Sequence, residues 1–291
     1  LFFSSVSSLY QIKNIKRMKT MKSIWNKVPA WARALIFMFI LGFPVIKINQ
    51  GTASFNLQNY PSWGWGLLVV IVVLFVFWKL VSLWSPFKRP EDVKIIMQMN
   101  FKDIKVWSRM IGLILLTMSA AVLFTGLFGV SQEHGADYFE RIGQFGDLTA
   151  VPLLIGVALT AGIVEEVIFR GYVQNTLVRA YPKAIVFLVI GLLFAMVHFL
   201  PLPLVVAFII ISIGFSLVAD EFKSLGVVIF AHAIVDIIST LAGYYGSTDE
   251  TGPVGLAIAA VVFVISLVLI LKGNKALYFR KFRTSKLTQA S

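Results

Sequence analysis

Residues 148–170 read LTAVPLLIGVALTAGIVEEVIFR, seventeen positions without Asp, Glu, Lys or Arg followed by Glu165, Glu166 and Arg170. A run of that length and polarity suits a membrane helix. Ionisable groups inside such a helix are costly enough to demand a use. Two later apolar runs carry polar pairs of their own, Phe194 with His198 and His232 with Asp236. Each pair is four residues apart, so on a helix both members share a face.

Working outward, the composition agrees. The 291-residue chain is 58% hydrophobic and 14% charged, with a mean hydropathy of +0.85, well outside the range of soluble domains. It predicts an all-α polytopic transmembrane bundle of about eight membrane helices. Cysteine is absent, which removes disulfides, thiolate metal sites and a cysteine nucleophile. Any metal would rest on His and carboxylate ligands. The formal charge of +12 comes from basic residues that flank apolar runs, where the positive-inside rule accounts for them without nucleic acid.

Lys13, Lys16, Arg17, Lys19, Lys22, Lys27 and Arg33, with no acid among residues 1–33, make residues 1–30 a basic cytosolic segment. Residues 1–10 lack the charged start and apolar core of a signal peptide, and Met18 or Met21 is a plausible start. Residues 31–147 hold three expected membrane helices. The first is Ala34–Ile46 with its neighbours, the second Ser62–Trp84, the third Met110–Val130. In the second, Lys79 can snorkel and Trp63, Trp65 and Trp84 fit an interfacial belt. The stretch 85–109 is basic, and the acidic stretch 131–147 reads as an outside loop. The core, 148–245, contains the opening run, then Ala184–Ala219 as two helices joined at Pro201-Leu202-Pro203, then Leu225–Tyr245. A last helix, Pro253–Leu271, and a basic tail complete 246–291. Both termini are then cytosolic in a cell membrane.

Four residues apart, Glu166 and Arg170 pair along one turn, while Glu165 points about 140° away from Arg170. Glu165 is thereby the carboxylate free for chemistry. The alternative makes all three ordinary charges at the cytosolic interface. Depth separates the two readings. If the helix ends at Arg170, Glu165 lies near the surface; if it continues to Arg179, Glu165 lies about 21 Å in, level with His198 and His232. Such a helix must tilt, kink near Pro152 or protrude. Asp236 can fix the tautomer of His232, or join it on a metal or a water. Ser212, Ser216 and Ser239 read as packing residues.

Glu-Glu-x-x-x-Arg at 165–170, Phe-x-x-x-His at 194–198 and His-x-x-x-Asp at 232–236, in that order on successive membrane helices, resemble the three motifs of the CPBP family. These are the CAAX prenyl endopeptidases and the bacterial Abi, bacteriocin-processing and immunity proteins. The resemblance covers roughly 148–245. It implies an intramembrane endopeptidase whose catalytic set is Glu165, Glu166, Arg170, His198, His232 and Asp236, in a conical cavity open to the cytosol. Glu165 would activate a water with help from His198, and His232 with its partner four residues on would stabilise the oxyanion. The family's third motif frequently ends in Asn. An ionised Asp236 would repel an oxyanion, so it is protonated, orients His232 or coordinates a cation. The family is called metalloprotease-like and metal-free hydrolysis is also proposed for it, so the implied cofactor is a divalent metal such as zinc, or none. The implied partners are a membrane-associated peptide or protein substrate and the lipid bilayer.

A rival reading from another class is a non-catalytic scaffold or bacteriocin-immunity protein that binds a partner membrane protein. A third, a proton- or cation-coupled transporter, finds no inverted repeat in support.

Overall fold

The computed structural model describes residues 25, 27–83, 104–128, 140, 142–198, 202–222, 224–245 and 253–288. Among them there is no strand, and eight helices follow one another: α1 (Ala30–Asn59), α2 (Gly66–Leu83), α3 (Ile104–Leu127), α4 (Asp147–Leu177), α5 (Lys183–Met196), α6 (Leu202–Phe222), α7 (Leu225–Tyr245) and α8 (Pro253–Thr288). Six are long and apolar enough to cross a membrane; the apolar parts of α2 and α5, Gly66–Val81 and Lys183–Met196, are shorter. The expected eight membrane helices thus become six by length, with two short apolar companions. The basic stretches 1–24 and 84–103, the acidic stretch 131–139, the 246–250 connection, Pro201 and the side chains of the basic tail lie outside the described residues.

α1 is longer than the Ala34–Ile46 expectation and contains a π-helical turn, Met38–Gly42, immediately before Phe43 and Pro44. Proline has no N–H and its ring crowds the carbonyl four residues back, so a wider turn there relieves the clash without ending the helix. The α1–α2 connection is closed by buried Asn56, which donates to the Tyr60 and Trp63 carbonyls at 2.8 and 3.0 Å and accepts from the Gly66 N–H at 2.6 Å.

α4 is the axis of the bundle. It runs unbroken through Pro152, and its irregularity lies further on, in π-helical stretches at Ala161–Glu165 and Val167–Gln174. α1 packs on it with Gly42 against Ile168, and the α1–α2 connection with Gly64 against Thr149 and Pro152. α7 crosses at Gly162, where an added Cβ would stand 2.8 Å from the Ala233 backbone. Only glycine allows that approach, and it brings the Glu165–Glu166 turn beside His232. α5 and α6 form a hairpin tied at one end by Lys183 to Asp220 at 2.8 Å. α3 pairs with α8 and also packs on α6. The outer face of α2, with Leu68, Ile71, Val72 and Phe75 about half exposed, is the surface a bilayer rather than water would cover.

Candidate active site

α4 brings Glu165, Glu166 and Arg170 into the bundle interior, where Glu166 and Arg170 are fully buried. The helix continues to Leu177 and then turns, so Glu165 lies deep, at the level of His198. Glu166 Oε1 accepts from Arg170 Nη1 at 2.8 Å and from His232 Nδ1 at 2.7 Å. Arg170 Nη2 donates to the Ser212 carbonyl at 3.1 Å and to Ser212 Oγ at 2.8 Å. Its guanidinium sits over the rings of Phe194, Phe215 and Phe169, 4.9, 5.4 and 5.9 Å from their centroids. Pairing of this kind, through Glu166 Oε1 and the two terminal guanidinium nitrogens, is how a charge is kept inside a membrane protein.

His232 is more constrained than its spacing to Asp236 suggests. Its Nε2 lies 3.3 Å from Asp236 Oδ2, and its Nδ1 faces Glu166. Carboxylate oxygens only accept, so the arrangement requires a proton at each contact. The four groups form one chain across α4 and α7, Arg170–Glu166–His232–Asp236, of alternating basic and acidic character. Asp236, with 29% of its side chain exposed, is the end that can be reached.

His198 and Glu165 form the second half. His198 lies just past the C-terminal end of α5, and its Nδ1 is 2.6 Å from the Phe194 carbonyl. A carbonyl cannot donate, so Nδ1 carries the proton and Nε2 is turned elsewhere. Nε2 lies 3.9 Å from Glu165 Oε1, beyond hydrogen-bonding reach, while Glu165 Oε2 has no partner. Two acceptors bonded to the two hydrogens of one water at about 2.8 Å lie roughly 4 Å apart. The pair is therefore spaced to hold a water. The Phe194 ring stands between the two imidazoles, 4.8 Å from His198 and 6.2 Å from His232 by ring centroids.

Glu165 also lines a cleft of about 80 Å³ between α1, α2 and α4, with Ile46, Asn49, Gln50, Leu67, Val70 and Thr160 among its walls. These residues lie toward the end of the bundle where α1 ends and α4 begins. The cleft that reaches Glu165 lies on the α1 and α2 side of α4.

A peptidase zinc takes three protein ligands and a water. Among the described residues no three of His, Asp and Glu converge as a ligand set. Glu166 is held by Arg170 and His232, and Glu165 with His198 offers only two donors, so the residues present do not fit a zinc site.

All six expected site residues lie in these two linked clusters. Ser212 was read as packing and instead anchors Arg170. Gln174, also unremarked, donates to the Ser216 carbonyl at 3.0 Å one turn further along the same two helices. The repeated four-residue spacing, 170 and 174 on α4 against 212 and 216 on α6, is the signal that marked this face.

Fold and site together define a multi-pass membrane protein with a buried carboxylate and imidazole centre. Residues 147–238 match the family described as "Type II CAAX prenyl endopeptidase Rce1-like". This segment is similar to that family; it holds all three motifs and runs from the start of α4 into α7. No curated protein and no solved structure matches the chain.

Proposed function

We propose that this protein is an intramembrane endopeptidase that hydrolyses a peptide bond in a membrane-associated peptide or protein, with Glu165 as general base. The observation that carries the reading is that Glu165 alone of the two glutamates faces both the cleft and a fixed imidazole nitrogen, while Glu166 is spent on Arg170 and His232. A water donating to Glu165 and to His198 Nε2 presents its oxygen lone pairs to a carbonyl carbon in the cleft. As the C–O bond forms, its proton passes to Glu165 and the carbonyl oxygen becomes negative. The Nε2–H of His232, held only loosely at 3.3 Å by Asp236, is the donor that can turn to that oxygen. Collapse breaks the C–N bond as protonated Glu165 delivers its proton to the leaving amine. The products are a carboxylate and an amine, and Glu165 is regenerated.

Residues 148–245 would supply this chemistry, with α1 and α2 walling the cleft. Loss of peptide processing in membranes carrying Glu165→Ala, at unchanged protein abundance, is the direct test. The rival scaffold reading also finds use for the buried Arg170–Glu166–His232 chain, since it ties α4, α6 and α7 together. It gives no use to Glu165, which lines the cleft with its carboxylate 3.9 Å from His198 Nε2.

For Asp236, the geometry favours the His-orienting role over a protonated donor to the oxyanion. Asp236→Asn is then expected to lower kcat, by as much as about 10⁴-fold where the amide favours the wrong imidazole tautomer. Wild-type kcat on equal amounts of folded protein would return the role to a protonated Asp236. The orientation with both termini cytosolic in a cell membrane predicts that Asp137→Cys, unique in a chain without cysteine, is labelled from outside. Labelling only from the cytosolic side would reverse it.

A further inference from the structure

Asn49 lies on α1, outside the family-matched segment, and is 5% exposed within the wall of the cleft that holds Glu165. Its amide orientation follows from a chain of donors. Thr160 Oγ1 donates to the Gly156 carbonyl at 2.8 Å, so toward Asn49 it has only lone pairs to offer. Asn49 must meet it with Nδ2–H, which it does at 2.8 Å. Oδ1 is left as the other face of the amide, buried and without a hydrogen-bond partner. Glu165 Oε2 is in the same condition on the same cleft.

The π-helical stretch explains why these two acceptors share a wall. On an α-helix Thr160 and Glu165, five residues apart, would diverge by about 140°. The i→i+5 bonding of Ala161–Glu165 adds about one residue per turn, bringing residues five apart toward the same side. Both indeed line the cleft.

The cleft wall is apolar but for Asn49, Gln50, Thr160 and Glu165, and its two buried unmet atoms are both acceptors, which suits an occupant with donors that have nowhere else to go. A peptide backbone unfolded within a membrane is such an occupant, because each N–H removed from water must find an acceptor. A lipid acyl chain has none. We propose that Asn49 is a substrate-binding residue whose Oδ1 accepts a backbone N–H of an extended peptide, holding the chain beside Glu165. The inference takes its substrate class from the peptidase reading and adds a contact from a helix that the family match does not cover.

The test pairs enzyme and substrate changes, using the full chain in lipid nanodiscs with Glu165→Gln present throughout to prevent turnover. The probe is a fluorescent farnesylated peptide ending in a CAAX sequence, in which backbone amides are replaced one at a time by esters, deleting single N–H groups. One ester is expected to weaken binding several-fold, up to about tenfold, with Asn49 in place. The same ester should cost less than about twofold in Asn49→Leu, or in Asn49→Ser if the leucine variant does not accumulate. Equal penalties with and without Asn49, no sensitive amide, or no peptide binding overturns the proposal; a cleft filled by lipid would give the second result. Cleavage is scored separately by mass spectrometry on protein with native Glu165. Binding without cleavage would overturn the peptidase reading and leave the Asn49 contact standing.

Discussion

Arg170→Ala is expected to leave little folded protein in the membrane, while Glu165→Ala accumulates as the wild type does. The two residues are five positions apart on one helix, and their surroundings are opposite. Arg170 is 1% exposed, donates to Glu166 and twice to Ser212, and lies among three phenylalanine rings. Truncating it leaves Glu166 buried with a carboxylate that His232 alone must satisfy, and removes both bonds to Ser212 at the middle of α6. Breaking one side of a buried pair typically costs about 3 to 5 kcal/mol. That is a large share of the roughly 5 to 15 kcal/mol by which a domain is usually stable. Glu165 has no direct hydrogen bond to lose and borders an existing cleft, so its truncation removes a desolvated carboxylate without orphaning a partner. Quantifying folded protein by size-exclusion chromatography from solubilised membranes checks the contrast. Equal, wild-type amounts of both variants would contradict the division between a bracing and a reacting glutamate.

The parts of this architecture that were legible in the sequence are those governed by local spacing. α7 spans Leu225–Tyr245 as its apolar run predicts, and the Glu166–Arg170 pair follows from four-residue periodicity. The depth argument also worked from local facts: with lysine at the start of α5 and histidine at its far end, Glu165 reaches His198 only if α4 continues past Arg170, and it does. Eight helices are present among the described residues as the apolar runs predict, six of them long enough to cross a membrane and α2 and α5 apolar but shorter.

What the sequence could not disclose depends on phase between helices. The π-helical turns of α4 have no strong residue signature, yet they set which side Glu165 faces and so which cleft serves it. His232 pairs with Glu166 across 66 residues of chain, a contact that rests on Gly162 meeting the Ala233 backbone. Neither residue announces the other. Asn49 sits in a segment read only as topology, and its use depends on Thr160, 111 residues away. Ser212 looked like any small residue in a membrane helix until Arg170 was placed against it.

The central claim is that Glu165 takes a proton from water during peptide-bond hydrolysis. Glu165→Gln is the cleanest probe, since it keeps size and hydrogen-bonding capacity and removes only the basic oxygen. General-base catalysis of this kind is worth about 10²- to 10⁴-fold, and the loss should fall on kcat because the substrate is still held by the cleft. The deciding measurement is turnover of an internally quenched, farnesylated CAAX-type peptide by the purified protein in lipid vesicles, wild type beside Glu165→Gln, with equal folded protein confirmed in each. The account predicts cleavage by the wild type and a fall in kcat of at least about 100-fold in the variant, with KM little changed. Equal turnover by the two, or no cleavage by the wild type, would contradict it.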